Sequence, residues 1–219
     1  MNTLEYMIEV RRHLHRFPEL SLQEKETAAF IRQQLTDLGY APVPIADTGT
    51  YADFVVDPAK PWLLFRADID ALPVTEETDL PFASEHPGKM HACGHDGHVS
   101  MLLGAARLLW EGRQELHGTV KLLFQAAEEV FIGSHYYWDR GCLSDVDAAM
   151  GMHVWPTLDT GCANFQSGGR MACSDRFTIQ IRGKSAHGSA PHLGHDAILA
   201  AAGAVMALQS LPSRGNDPL

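Results

Sequence analysis

Residues 91–98 read His-Ala-Cys-Gly-His-Asp-Gly-His and run straight into Val99–Trp110, a strongly apolar helical stretch with Gly104-Ala105-Ala106 as its close-packing face. Three imidazoles, a thiol and a carboxylate fall within these eight residues. Divalent transition metals bind such soft sulfur and borderline nitrogen, and ligands so near in sequence converge only from a tightly turned loop. Gly94 and Gly97 permit that turn. The alternative is a polar loop that happens to be rich in histidine, and the surrounding sequence decides between the two.

On the N-terminal side, Tyr51–Val56 and Trp62–Phe65 are apolar runs that read as a pair of strands. The second enters Arg66-Ala-Asp-Ile-Asp-Ala-Leu-Pro73. Asp68 and Asp70 thus fall where an apolar strand runs out, the place where α/β sheets carry ligand-binding side chains. Residues 74–90 read as an irregular loop. On the C-terminal side, Thr119–Phe124 alternates as a strand and ends in Gln125-Ala-Ala-Glu-Glu129. Two adjacent carboxylates after a buried strand are costly unless water or a cation meets them. Residues 133–143 read as a helix, and Val146–Val154 as a further strand with His153 near its end.

Strand, ligand-bearing loop and helix in this order predict an α/β fold: a mixed, largely parallel sheet with flanking helices. Its strand and loop ends bring Asp68/Asp70, Cys93/His95, Glu128/Glu129 and His153 to one edge. Two metal ions about 3.5–4 Å apart at such an edge would clamp a carbonyl oxygen and a water and lower the water's pKa toward neutrality. One glutamate can then bind metal while the other moves the proton.

Earlier in the chain, Leu4, Met7, Ile8, Val10 and Leu14 have helical spacing that Pro18 ends. A second helix is expected from Ser21 to about Leu38, with Glu24 as the capping-box partner of Ser21 and Gly39 as the stop. The character changes around Gly161, Gly168 and Gly169, which places a domain boundary near residue 170. Beyond it, Asp175–Arg182 reads as a strand, residues 183–188 as a turn and Asp196–Leu211 as an alanine-rich helix.

Composition narrows the function classes. Seventeen Lys and Arg against twenty-seven Asp and Glu leave a net charge of −10 over 219 residues, which argues against a nucleic-acid or anionic-membrane partner. The four cysteines, Cys93, Cys142, Cys162 and Cys173, form no Cys-x-x-Cys pair, as expected of free thiols in a reducing compartment. No basic start leads into an apolar leader, and no apolar run approaches the roughly 20 residues of a membrane span. A cytoplasmic location is the expectation.

Six stretches together carry a resemblance. Arg12-His-Leu-His-Arg-Phe-Pro-Glu-Leu-Ser, Arg66-Ala-Asp-Ile-Asp-Ala-Leu-Pro, Met90-His-Ala-Cys-Gly-His-Asp-Gly-His, Gln125-Ala-Ala-Glu-Glu, Gly151-Met-His-Val-Trp-Pro and Gly183-Lys-Ser-Ala-His-Gly resemble, in order, the metal-dependent amidohydrolases of aminoacylase and hippurate-hydrolase type. Plant auxin-conjugate hydrolases and bacterial N-acetyl-diaminopimelate deacetylases belong to the same family.

The resemblance implies a zinc-peptidase-like catalytic domain over 1–170 and the first half of an inserted dimerisation domain over 171–219. It implies that Cys93, His95, Glu129 and His153 are ligands of two divalent ions (manganese, zinc or cobalt). Glu128 would be the general base and acid, and Asp70 the acid that orients metal ligands. His187 would reach a neighbouring subunit's site in a homodimer. His91, His98, His192 and His195 are left in supporting roles. The implied reaction is hydrolysis of the amide of N-acyl amino acids. A dipeptidase or carboxypeptidase of the same superfamily and a non-catalytic remnant are the alternatives.

Family members run to nearly twice this length, and their returning segment supplies a last metal-binding histidine. The chain therefore reads as an N-terminal portion, with weak or absent activity expected without the rest. The stretch from Val130 to Tyr137 also departs from the family's usual run of small residues.

Overall fold

The computed structural model describes residues 1–59, 61–171 and 176–209. Its strands β1 (Val43–Ile45), β2 (Gly49–Val55), β3 (Trp62–Asp68), β4 (Thr119–Gln125) and β5 (Ala148–Gly151) form one sheet in the order β1-β2-β4-β3-β5. The β1–β2 and β2–β4 pairings are antiparallel, whereas β3 pairs in parallel with both β4 and β5. The sheet is thus mixed, as the sequence predicts.

Position in the sheet follows from composition. Every residue of β4 from Thr119 to Phe124 is buried, which only a central strand with both faces covered allows. Val120, Leu122 and Phe124 point into the larger core, where helices α1 (Thr3–Arg16), α2 (Lys25–Leu38) and α3 (His95–Glu111) supply Val10, Leu14, Ile31, Leu35, Leu102 and Leu103. Leu123 points the other way, into a smaller cluster with Ile45, Leu64 and Tyr137. Lys121 shares that second face and survives burial through Asp53, whose Oδ1 lies 2.6 Å from its Nζ.

The expected pair of strands is not a pair. β4 lies between β2 and β3, because the most apolar strand takes the most buried place. The second helix begins at Lys25, with Glu24 at its N-cap and making no side-chain cap. The expected capping box fails because its members have other partners: the Ser21 hydroxyl donates to Asp70, and Glu24 turns into the core. The helix after the histidine-rich loop starts at His95, four residues before the apolar run. The helix expected over 133–143 shortens to α4 (Gly133–Trp138), and the strand expected over 146–154 shortens to β5, which leaves His153 in irregular chain beyond it.

The chain divides into two compact units, Met1–Thr157 and Leu158–Leu219. In the second, helix α5 (Ala197–Leu208) is capped by the Asp196 carboxylate, which accepts the Ile198 and Leu199 amides. Residues 176–182 form no strand with any described residue, since a strand needs a partner for its amides. Asp175 and Leu211, the ends of the expected strand and helix, lie outside the described residues.

Leu122 is fully buried at the junction of the sheet with α1–α3. Its replacement by Ala is expected to lower unfolding free energy by about 2–5 kcal/mol, measured by urea denaturation. A loss below about 1 kcal/mol would mean that β4 is not the strand on which the core is built.

Candidate metal centre

Register brings the polar groups together. In the parallel β3–β4 ladder Asp68 lies opposite Gln125, so the two strands end level. Asp70 follows one end and Glu128-Glu129 the other. Arg66 lies opposite Gly151 in the β3–β5 ladder, so the chain leaving β5 delivers His153 to the same edge. The loop 91–94 then enters α3 through Gly94, whose φ is 90°. A Cβ there would stand 2.4 Å from Val154 Cγ2. Only glycine lets the two ligand-bearing loops approach so closely.

His95 is the centre of the arrangement. It is 0% exposed, and its Nδ1 lies 3.3 Å from Asp70 Oδ1. Its Nε2 faces Asp68 Oδ1 and Glu129 Oε1, each at 3.6 Å, and Glu128 Oε2 at 3.9 Å. Neither ring nitrogen is hydrogen-bonded, and Asp70 Oδ1 and Glu129 Oε1 are likewise buried without a hydrogen-bond partner. Cys93 Sγ stands 3.4 Å from His153 Nε2. The His153 Nδ1–H donates to the Val154 carbonyl at 2.6 Å, which leaves Nε2 with its lone pair aimed at the thiol. Among the described residues three groups have their donor atoms within 4.8 Å of one another: Cys93-His95-His153, His95-Glu128-Glu129 and Asp68-His95-His98.

The last group is already spent. The Val154 amide donates to His98 Nε2 at 2.9 Å, so Nδ1 carries the proton, which it gives to Asp68 Oδ1 at 2.6 Å. His98 therefore ties the end of β3 to the residue beside His153, and the two imidazoles meet edge to face at 4.6 Å. Asp70 works in the same way. Its Oδ2 accepts the Ser21 hydroxyl at 2.7 Å and the Glu129 amide at 3.0 Å while Oδ1 faces His95.

The electrostatics separate the carboxylates by role. Burial pushes Asp68 up, but the His98 hydrogen bond and the His95 and Arg66 charges outweigh it and hold the carboxyl at about 2. Asp70 also lies below the usual range: against burial stand His95, the Ser21 hydroxyl and the Glu129 amide. Glu128 goes the other way, raised by burial and by the neighbouring Asp68 and Glu129 charges. A carboxylate raised in this way is the better proton acceptor. Burial first and Glu129 second push the Cys93 thiol up to about 12. A thiol among carboxylates stays protonated unless a cation is present, and a coordinated thiol is deprotonated outright. The unmet buried atoms and the donor set of Cys93, His95, Glu129 and His153 thus fit a divalent ion or a pair of them.

One further group escaped the sequence reading as part of the site. His15, inside the first of the resembling stretches, is buried. Its Nδ1 lies 2.8 Å from Asp96 Oδ2 and its Nε2 3.1 Å from Glu76 Oε1. Arg11 adds a donor to Asp96 at 3.2 Å. This network fixes the first turn of α3, beside His95. Its one sequence signal was a histidine at the inner face of an amphipathic helix. His91 is buried with neither nitrogen hydrogen-bonded, and burial lowers it to about 4. His187 belongs to the second unit, where its Nδ1 lies 2.8 Å from the Ser189 hydroxyl.

Gly94→Ala is expected to weaken cobalt(II) binding at least about tenfold, because its Cβ must push Val154 and with it His153 away. An unchanged titration would show that this approach does not set the centre. His15 supplies a pH test. Asp96 raises it, burial opposes, and Glu76 adds to the rise. A raised folded-state value contributes stability that is complete below the unfolded value of about 6.5 and is lost as pH rises through the folded one. In metal-free protein the advantage of wild type over His15→Gln in urea should be full below about pH 6 and shrink as pH rises above about 6.5. An advantage that grows with pH would contradict the assigned pairing.

Known proteins resemble the chain in sequence and in fold. The chain is 46% identical to an N-acetyl-L-cysteine deacetylase of Bacillus subtilis, covering 100% of this chain and 53% of that protein. It is 43% identical to an N-acyl-L-amino acid amidohydrolase of Geobacillus stearothermophilus, over 95% of this chain and 57% of that one. An IAA-amino acid hydrolase of Arabidopsis thaliana is 42% identical, with 98% and 49% covered. The chain thus spans about half the length of these relatives. Among solved structures, the YXEP protein of Bacillus subtilis, described as a dinuclear metal binding peptidase from the M20 family, superposes with a TM-score of 0.70 at 43% identity. That match covers 73% of this chain and 45% of that one. A structure from methicillin resistant Staphylococcus aureus gives a TM-score of 0.82 at 37% identity, over 98% of this chain and 58% of that one. Residues 64–215 match the family model described as peptidase family M20/M25/M40, and the chain belongs to that family.

Proposed function

We propose that this chain carries the metal centre of a hydrolase that cleaves the amide of N-acyl amino acids or similar small conjugates. The observation that carries the reading is His95 Nε2, buried and facing three carboxylate oxygens at 3.6–3.9 Å, none of them hydrogen-bonded to it. A gap of that size among donors of that kind suits a cation. Cys93, His95, Glu129 and His153 are its ligands in this reading, and the mixed thiolate, imidazole and carboxylate set suits zinc, manganese or cobalt. The dinuclear metal binding described for the YXEP protein supports two ions. The names of the relatives support the acyl-amino-acid substrate class.

Bound metal would polarise the acyl carbonyl and lower the pKa of the attacking water. Glu128, raised by burial and acidic neighbours and about one-third exposed, takes the proton as the water oxygen bonds to the carbonyl carbon. It then returns the proton to the nitrogen as the C–N bond breaks, giving a carboxylic acid and an amine. Asp70 holds His95 and the Glu129 backbone in place. In this reading residues 1–170 take the catalytic role and residues 171–219 the dimerisation role. The exposed apolar residues of α5, among them Ile198, Leu199 and Met206, support a homodimer in which His187 serves the partner's substrate. Among the described residues no helix is long and apolar enough to cross a membrane, and the reading places the protein in the cytoplasm.

In the complete enzyme, Glu128→Gln is expected to cut hydrolysis of an N-acetyl amino acid about 10²–10⁴-fold while metal content, read by mass spectrometry after dialysis, stays unchanged. Cys93→Ala and His153→Ala should lose metal. Retained turnover in Glu128→Gln would remove that residue from the role, and dipeptide hydrolysis in preference to N-acetyl substrates would reassign the substrate class.

A further inference from the structure

The turn that carries Glu128 and Glu129 is strained, and its support comes from far away in the chain. Ala127, immediately before Glu128, has a φ of 54°, the left-handed region that side chains other than glycine rarely occupy. The turn is tightly closed. The Gly133 amide donates to the Ala127 carbonyl at 3.1 Å, and a Cβ on Gly133 would stand 1.6 Å from the Ala126 oxygen. The Ala127 amide donates to Glu24 Oε1 at 2.8 Å. Glu24 Oε2 accepts the Thr48 hydroxyl, also at 2.8 Å. Glu24 is 0% exposed, and among the described residues no cation forms an ion pair with it.

Burying a carboxylate without a countercharge is expensive. As the N-cap of α2 it makes no side-chain cap, so helix formation does not account for it. A neutral side chain of similar size would fill the space as well. What a carboxylate adds is two strong acceptor oxygens on a fixed element, one of which grips the amide of the left-handed residue. We propose that Glu24 is a positioning residue whose buried carboxylate holds the left-handed turn at Ala127 and so sets Glu128 and Glu129 against His95. Its consequence for metal rests on the metal-centre reading; its geometry does not. Backbone held in an unfavourable conformation next to reacting groups persists only where the surroundings impose it, and Glu24 is the group that imposes it here.

The test is a comparison of Glu24→Ala, Ala127→Gly and the double variant. Cobalt(II) is titrated into each metal-free chain, followed by visible absorption, with circular dichroism to report folding. Glu24→Ala should weaken cobalt binding about tenfold or more. Ala127→Gly, which takes the left-handed conformation without strain, should restore the double variant to within about threefold of wild type. A purely structural Glu24 gives no such rescue. The proposal is overturned if folded Glu24→Ala binds cobalt as wild type does, or if the double variant stays as weak as Glu24→Ala. Should Glu24→Ala fail to fold, Glu24→Gln, which keeps the volume and an acceptor for the Ala127 amide, should lose no more than about threefold, and a larger loss overturns the proposal. If wild type itself takes up no cobalt, the metal reading falls, and thermal melting decides the brace. Glu24→Ala then melts below wild type and Ala127→Gly returns part of the difference, whereas no return overturns the proposal.

Discussion

Four carboxyl groups, Asp68, Asp70, Glu128 and Glu129, converge on one buried imidazole, and like charges at such distances repel strongly where water is scarce. The fold offsets this repulsion group by group. Asp68 has Arg66 and His98, and Asp70 has the Ser21 hydroxyl and the Glu129 amide. What these partners leave unmet is concentrated at His95, Asp70 Oδ1 and Glu129 Oε1. The deficit is one of positive charge, which the proposed metal centre would supply.

Holding that arrangement takes left-handed backbone at two points beside the assigned groups, and strain at one of them. Gly94 enters α3 with a left-handed φ so that Val154 can close on it, and Ala127 adopts the same region without being glycine. Both points lie one residue from groups assigned to the centre. The rest of the first unit imposes them: β4 buried on both faces, three helices packed over one side, His15 reaching from α1 to the first turn of α3, and Glu24 reaching from the start of α2 to the turn at Ala127. Stability spent on strain at a functional site is recovered in such cores.

Much of this was legible in the residues. The alternation of Thr119–Phe124, the apolar entry into Asp68 and Asp70, and the glycine-broken cluster at 91–98 predicted the mixed α/β sheet and the edge where its polar groups meet. Those signals are local, a matter of period and ligand spacing. The misreadings also have local causes. Ser21 and Glu24 stand at capping-box spacing, and nothing nearby in sequence says that each has a distant partner. Residues 133–143 and 146–154 carry apolar patterns longer than the elements they form, because packing rather than pattern ends an element.

The sequence by itself determined which chemical groups are present and that they fall at strand and loop ends, since side-chain type and hydrophobic period need no third dimension. Only the tertiary structure decided which groups pair. It set His98 between Asp68 and Val154 rather than on a metal, joined His15 to Asp96, and placed the carboxylate of Glu24 under Ala127, 103 residues away. Hydrogen-bond partners so far apart in the chain are chosen by strand order and register, which a residue's own neighbours do not encode.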